Sequence, residues 1–179
     1  MFNNHLPKME VPENALISRG LSRYRGSGSR DKEPDRSYKP RATRPSLNDK
    51  PTFVIECGIS ESMNNLRSDA HFWLTKSNGQ IKLVVLIFTD VLGEIVKIER
   101  WENRAKPRQT RSSSALSTSR PTCIQKLNIN NNTSHVSGAP LVLPANLIFD
   151  TMPLNLGLGE FSISRARLLQ NVQESFQVI

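Results

Sequence analysis

The clearest pattern of hydrophobic and polar residues along the chain lies between positions 51 and 101. Residues 52–57 alternate after Pro51 and predict a strand. Apolar residues then recur three and four positions apart, as one face of a helix requires; they are Met63, Leu66, Ala70 and Trp73. The nearly continuous apolar run 81–88 predicts a central strand, and the alternating run 94–101 predicts a paired, half-exposed strand. Together these residues predict a βαββ unit.

The boundaries of the predicted helix can also be read from the sequence. Ser60 is a plausible N-cap, and Glu61 follows where the helix dipole favours an anion. Asn78-Gly79 favours an end to the helix, because both residues tolerate the left-handed conformation. Upstream, residues 17–24 and Asp35–Lys39 show weaker strand patterns. We therefore expect one or two further strands before position 51.

The rest of the chain divides by pattern into segments with different expectations. Residues 1–16 predict a disordered N-terminal segment, and 17–102 predict the α/β core. Residues 103–138 lose all periodicity and predict a long, disordered, basic and polar insertion. Residues 141–179 predict a strand and a last helix, Ser164 to Phe176, that complete the domain.

Positive charge is concentrated in two of these segments. The formal net charge is +8, yet residues 51–102 carry five Lys/Arg against seven Asp/Glu. Residues 1–50 carry 11 Lys/Arg and six acids, while 103–126 carry six Lys/Arg and no acid. Basic segments raise affinity for phosphate backbones, so nucleic acid is the expected partner. The alternative is that these segments are only solvated tails.

The cysteines and the apolar runs indicate a soluble protein of a reducing compartment. Cys57 lies in an apolar run and Cys123 in a polar one, without metal-ligand spacing or an expected disulfide. The N-terminus has no apolar signal core, and the longest apolar run, Leu83 to Phe88, is too short for a membrane helix. We expect an intracellular location, cytoplasmic or nuclear, and no membrane. The oligomeric state does not follow from these features.

Two acids on neighbouring predicted strands are the strongest chemical signal. Asp35 follows Pro34, and Glu56 ends the next strand 21 residues later. One or two carboxylates are enough to hold Mg²⁺, which would stabilise charge on a phosphate and activate a water. The competing interpretations are structural. Pro-Asp is a common turn pair. The structural interpretation of Glu56 is a pairing with Arg67 or with a backbone amide at the start of the following helix.

Three runs of this sequence resemble a fungal family of uncharacterised proteins. They are Lys32-Glu33-Pro34-Asp35 with Ser37 and Pro40, Pro51 through Ser62, and Leu66 through Ala70 with Trp73-Leu74. That family is similar to the restriction-endonuclease-like PD-(D/E)XK superfamily and to a bacterial group of endonucleases. The resemblance covers residues 17–102 and, more weakly, 141–170. It implies a restriction-endonuclease-like mixed central sheet with flanking helices, in which Asp35 and Glu56 bind Mg²⁺ or Mn²⁺.

The chain departs from the superfamily pattern at the catalytic lysine. The pattern has lysine two residues after the second acid, where this chain has Gly58. In the bacterial relatives the lysine can lie in the following helix, at the position that aligns with Asp69 here. Arg67 and Lys82 are then the nearest substitutes, although a guanidinium exchanges protons poorly.

The resemblance therefore predicts a Mg²⁺-dependent nuclease-like protein, catalytically impaired if nothing replaces the motif lysine. Two alternatives stay open from the sequence. One is a non-catalytic nucleic-acid-binding or interaction module that keeps the fold and the basic segments. The other is a shortened, non-functional family copy. The sequence does not distinguish DNA from RNA as the target.

Overall fold

A seven-stranded mixed sheet forms the centre of the protein. The computed structural model describes residues 15–19, 32–59, 62–105, 119–151 and 159–177. Within these ranges the strands lie in chain order: β1 (Leu16–Arg19), β2 (Arg36–Pro40), β3 (Phe53–Ile59), β4 (Leu83–Asp90), β5 (Ile95–Ala105), β6 (Ser119–Asn130) and β7 (His135–Ser137). The pair β3–β4 is parallel, and the other neighbouring pairs are antiparallel. The α/β class with a mixed central sheet is confirmed, and the restriction-endonuclease-like arrangement stays a prediction.

Helix α1 (Met63–Lys76) links the two parallel strands, because such strands need a crossover connection. The hydroxyl of Ser62 caps it by accepting a hydrogen bond from the Asn64 amide at 3.1 Å. The predicted cap, Ser60, lies outside the described residues. After the helix, Asn78 and Gly79 have positive φ angles of 54° and 74°, as the sequence predicts. The βαββ unit of residues 51–101 is confirmed.

A second layer covers the opposite face of the sheet. It contains β8 (Leu141–Pro144), the short helix α2 (Ala145–Ile148), β9 (Glu160–Ile163) and α3 (Arg165–Phe176). The strands β8 and β9 form their own two-stranded sheet. The predicted cap of the last helix is confirmed, since Ser164 accepts from the Arg167 amide at 3.3 Å. In the described ranges, no helix has the length and apolar character needed to cross a membrane.

Alternation along β3 and β4 sends side chains into two separate hydrophobic cores. Phe53 and Ile55 join the larger core, which lies between the sheet and the layer of α2, α3, β8 and β9. Val54 joins the smaller core beneath α1, with Trp73 at its centre. Glu56 shares the face of Val54, because residues two apart in a strand point the same way. The buried carboxylate therefore lies on the α1 side of the sheet.

The predicted disordered insertion at residues 103–138 is wrong for most of its length. Strand β5 continues to Ala105, and β6 and β7 occupy 119–130 and 135–137. Leu127 and Ile129 alternate into the larger core. Their neighbours are polar, so the sequence looks patternless, and cross-strand pairing with β5 decides the conformation. Residues 106–118 lie outside the described residues.

At the N-terminal end, the predictions are tested only in part. The expected strand at 17–24 is present as β1, which includes Leu16, and residues 20–24 lie outside the described ranges. Of the predicted disordered segment 1–16, residues 1–14 also lie outside the described ranges, and Leu16 belongs to β1. The predicted strand Asp35–Lys39 is shifted by one residue, to Arg36–Pro40.

Candidate functional site

The structure brings the two predicted acids together at the junction of β2 and β3. Arg36 pairs with Ile55 in the antiparallel register, so Asp35 lies level with Glu56. The Asp35 amide donates a hydrogen bond to Glu56 Oε2 at 3.2 Å. In return, Asp35 Oδ2 accepts from the Cys57 amide at 2.7 Å. The predicted meeting of both acids is observed, in the form of these reciprocal hydrogen bonds.

Glu56 is almost completely buried, with 4% of its surface exposed. The indole Nε1 of Trp73 donates to Glu56 Oε1 at 2.5 Å, so a core tryptophan also supplies a polar contact. Burial raises the pKa of Glu56 to about 7, although the Trp73 hydrogen bond and the charge of Lys32 oppose this. Glu56 is therefore a carboxyl group poised to exchange a proton near neutral pH.

A cation that the sequence does not predict, Lys32, lies beside the pair of acids. Its Nζ lies 3.8 Å from Glu56 Oε1 and also forms an ion pair with Asp69 of α1. The ammonium sits 5.8 Å from the centre of the Trp73 ring. Residue 32 forms only an isolated bridge, which has no periodicity to recognise in a sequence. Its one signal is its place three residues before Asp35.

Arg67, the first predicted substitute, serves a different carboxylate. Its guanidinium donates to both oxygens of Glu99 on β5, at 3.1 and 2.6 Å. Glu99 also accepts from Trp101 Nε1 at 3.0 Å. Burial opposes ionisation of Glu99, but these hydrogen bonds outweigh it and keep its pKa below the usual value. The same contact raises the pKa of Arg67.

The register places Glu99 in one row with Glu56, with Leu86 of β4 between them. Two strand spacings separate the two glutamates, which is about 10 Å. The row thus holds two buried carboxylates under one helix, each with its own tryptophan N–H and its own cation. Of the two structural alternatives from the sequence, pairing of Glu56 with Arg67 is not observed, since Arg67 binds Glu99. Glu56 does accept a hydrogen bond from a backbone amide, but this amide belongs to Asp35 on the neighbouring strand.

Lys82, the second predicted substitute, lies away from the pair. Its Nζ forms an ion pair with Asp150 at 2.8 Å, and Asp150 also binds Arg44 at 2.6 Å. Hydrogen bonds from Arg44 and Lys82 hold the pKa of Asp150 well below its usual range. Lys82 precedes the strand partner of Glu56 by four residues, a separation of roughly 13 Å along the sheet. The structure therefore does not bring Lys82 to the predicted site.

The carboxylates of Asp35 and Glu56 keep acceptor capacity for a further ligand. Asp35 is exposed, and only its Oδ2 has a hydrogen bond from the Cys57 amide. Glu56 Oε2 accepts one hydrogen bond and keeps capacity for another ligand. In the described part of the chain no group of three or more His, Cys, Asp or Glu is positioned for a metal. Mg²⁺ nevertheless needs only one or two carboxylates, because it retains several waters.

Comparison of the chain with models of known protein families gives no match, and comparison with curated proteins gives none either. The function therefore has to be argued from the site and from the resemblance of its motifs.

Proposed function

We propose that this protein is a metal-dependent phosphodiesterase of the PD-(D/E)XK type, acting on nucleic acid. The observation that supports this most directly is the meeting of Asp35, Glu56 and Lys32 at one place. These are two acids on neighbouring strands with an ammonium group beside them. The superfamily pattern that the sequence resembles uses the same three residue types. In this chain the lysine comes from the segment before the first acid.

Each of the three residues has a role that follows from its surroundings. Asp35 and Glu56 would hold Mg²⁺ or Mn²⁺, which when bound supplies charge stabilisation on the phosphate and an activated water. Lys32 presents a positive charge at the same point, held in place by Asp69. A positive charge fixed beforehand stabilises the negative charge that develops on a phosphate during attack. Trp73 fixes the Glu56 carboxylate through its indole N–H.

Cleavage of plasmid DNA and of RNA with Mg²⁺ or Mn²⁺ tests the proposal. We expect cleavage by the wild type, and its loss in Glu56→Gln and Asp35→Asn. Lys32→Ala should lower the rate on the order of a hundredfold, as expected for loss of one preorganised charge. Lys82→Ala is the matched control, because it removes a lysine whose partner is Asp150. It should cleave at the wild-type rate.

A binding measurement that does not depend on turnover accompanies the assay. Saturating Mg²⁺ should lower the pKa of Glu56 from its value of about 7. NMR titration of the carboxyl group would measure this change. Mg²⁺ should also raise the melting temperature of the wild type but not of Asp35→Asn. Absence of cleavage together with an unchanged Glu56 pKa would reject the proposal.

A non-catalytic nucleic-acid-binding module is the second candidate, and one observation favours it. Glu56 already accepts hydrogen bonds from Trp73 and Asp35 and lies beside Lys32, so its contacts are satisfied without a cation. In that case the row of carboxylates would only order the core beneath α1. Salt-dependent binding of nucleic acid without cleavage would select this candidate.

A further inference from the structure

The β5–β6 hairpin continues past the edge of the main sheet. The last contact of β4 with β5 is the pair Leu83–Glu102. Beyond it, residues 103–105 pair with residues 119–121 in the β5–β6 register, and the recorded strand pairings of the described chain give them no other neighbour. These six residues form a two-stranded segment, which we call the ribbon.

Hydrogen bonds fix the base of the ribbon to both layers of the protein. Asn103 Nδ2 donates to the Leu74 carbonyl of α1 at 3.0 Å. Arg100, which is 7% exposed, donates through Nη1 to the Val142 carbonyl of β8 at 2.5 Å. The β5–β6 register shifts between Arg100 and Trp101, and such a bulge increases twist and redirects the strands beyond it. The ribbon therefore leaves the sheet in a direction that the fold sets.

Two arginines face each other across the ribbon. Arg104 and Arg120 are direct partners in the antiparallel register, so their side chains share one face, and both residues are exposed. Like charges directly opposite each other destabilise a strand pair. Within the described ranges, Arg104 pairs with one carboxylate, that of Glu102 at the base of the ribbon, at 2.9 Å.

We propose that the ribbon is a docking element for duplex DNA and enters its major groove, with Arg104 and Arg120 against the phosphates. A two-stranded ribbon fits a B-form major groove, which is about 12 Å wide. The A-form major groove of duplex RNA is too narrow and deep for it. The proposal deepens the proposed function, on which the choice of a nucleic acid rests, because it names the substrate class and the surface that holds it.

Binding of the Glu56→Gln protein to a 16-base-pair DNA duplex tests the proposal. The substitution and EDTA together exclude cleavage during the measurement. Fluorescence anisotropy would measure affinity between 50 and 200 mM salt. The ribbon variant is Arg104→Gln with Arg120→Gln. The matched control is Arg165→Gln with Arg167→Gln, which removes the same charge from exposed positions of α3. Circular dichroism would show that both variants fold.

We expect the ribbon variant to bind DNA on the order of tenfold more weakly than its parent. Its slope of log affinity against log salt should be shallower by about 1.8, since each phosphate contact contributes roughly 0.9. The control should keep the affinity and the slope of the parent. Equal losses in both variants, or none in either, would overturn the assignment of the ribbon. Equal or tighter binding of an RNA duplex would overturn the choice of DNA.

The two proposals fail in separate ways. Suppose that the ribbon variant loses DNA binding and the wild type cleaves nothing under any divalent metal. The docking role of the ribbon would then be supported, and the phosphodiesterase proposal would be rejected. Cleavage that depends on Glu56, with DNA binding that the ribbon variant leaves unchanged, would reject the ribbon and keep the enzyme.

Discussion

Glu56 is the residue on which the site depends, because it is the only one of the three proposed groups that is fully inside the protein. Its side chain is 6% exposed, against 26% for Lys32. An ionised carboxylate at such a position is costly unless it is paired and hydrogen-bonded. The Trp73 indole, the Lys32 ammonium and the Asp35 backbone amide each offset part of that cost. Burial and the nearby Asp35 carboxylate outweigh them, so the pKa remains raised to about 7. The native state therefore holds a proton that the unfolded chain releases.

This has a measurable consequence for stability. The pKa of Glu56 is about 7 in the folded protein against 4.5 as the ordinary value, so its contribution is complete below pH 4.5 and is lost as the pH rises through 7. At about 1.4 kcal/mol per pKa unit, the free energy of unfolding should fall by roughly 3 kcal/mol over that window. Urea unfolding in EDTA at pH 5 and pH 8 would measure it.

Glu56→Gln is the control for that experiment, since glutamine does not titrate. The difference in unfolding free energy between wild type and variant should change sharply from pH 5 to pH 8. Contributions from other groups cancel in that difference. The pKa of Glu99 is below its usual value, so Glu99 changes its protonation state at a pH lower than this range. A constant difference across the window would show that Glu56 ionises normally.

At the scale of single elements, helix α1 contributes to both the candidate site and the smaller core. It supplies Trp73 and Asp69 to the site, and it covers the smaller hydrophobic core. The Ser62 cap stabilises the first turn of α1. Near the other end, the Asn103 side chain donates to the Leu74 carbonyl and ties the helix to β5.

Ser62→Ala should lower the free energy of unfolding by about 1 kcal/mol, because the N-terminal amides lose their capping acceptor. Thermal or urea unfolding at neutral pH would detect this. Ser68→Ala provides the matched control within the same helix. Its hydroxyl bonds to the Asn64 carbonyl one turn earlier, which does not support a helix, so alanine should be neutral or slightly stabilising. Equal losses in both variants would show that Ser62 is not the functional cap.

The elements also show which parts of the fold a single sequence can predict. The strands and helix of residues 51–101 follow from strong local periodicity, and the cap at Ser164 follows from residue type. Strand β6 does not follow from the sequence, because its buried residues, Leu127 and Ile129, lie among polar neighbours. The sequence does predict that Asp35 and Glu56 lie on neighbouring strands, and the register places them level with each other. The positions of Lys32 and Lys82 relative to these acids do not follow from the sequence, because distances between side chains of different strands depend on register.

On the scale of the whole molecule, two faces of one sheet are used differently. The face under the layer of α2 and α3 is packed with apolar side chains and contributes most of the buried core. The face under α1 combines a smaller core with the row of Glu56 and Glu99. Burying two carboxylates beneath a single helix is acceptable only because each has its own donors.

A shortened β5–β6 hairpin tests stability and the proposed docking role in one variant. Ala105 and Ser119 are direct partners, so residues 106–118 can be replaced by an Asn-Gly turn, which closes such a pair. Closing a shorter loop costs less entropy, and the free energy of unfolding should rise by about 1 to 2 kcal/mol.

The replacement also removes Lys106, Arg108 and Arg111, so DNA affinity should fall and its salt dependence should weaken. Unfolding and anisotropy measured on one preparation would test both. A protein that loses stability would show that the deleted residues contribute to the fold, whereas unchanged salt dependence would show that their charges do not contact DNA.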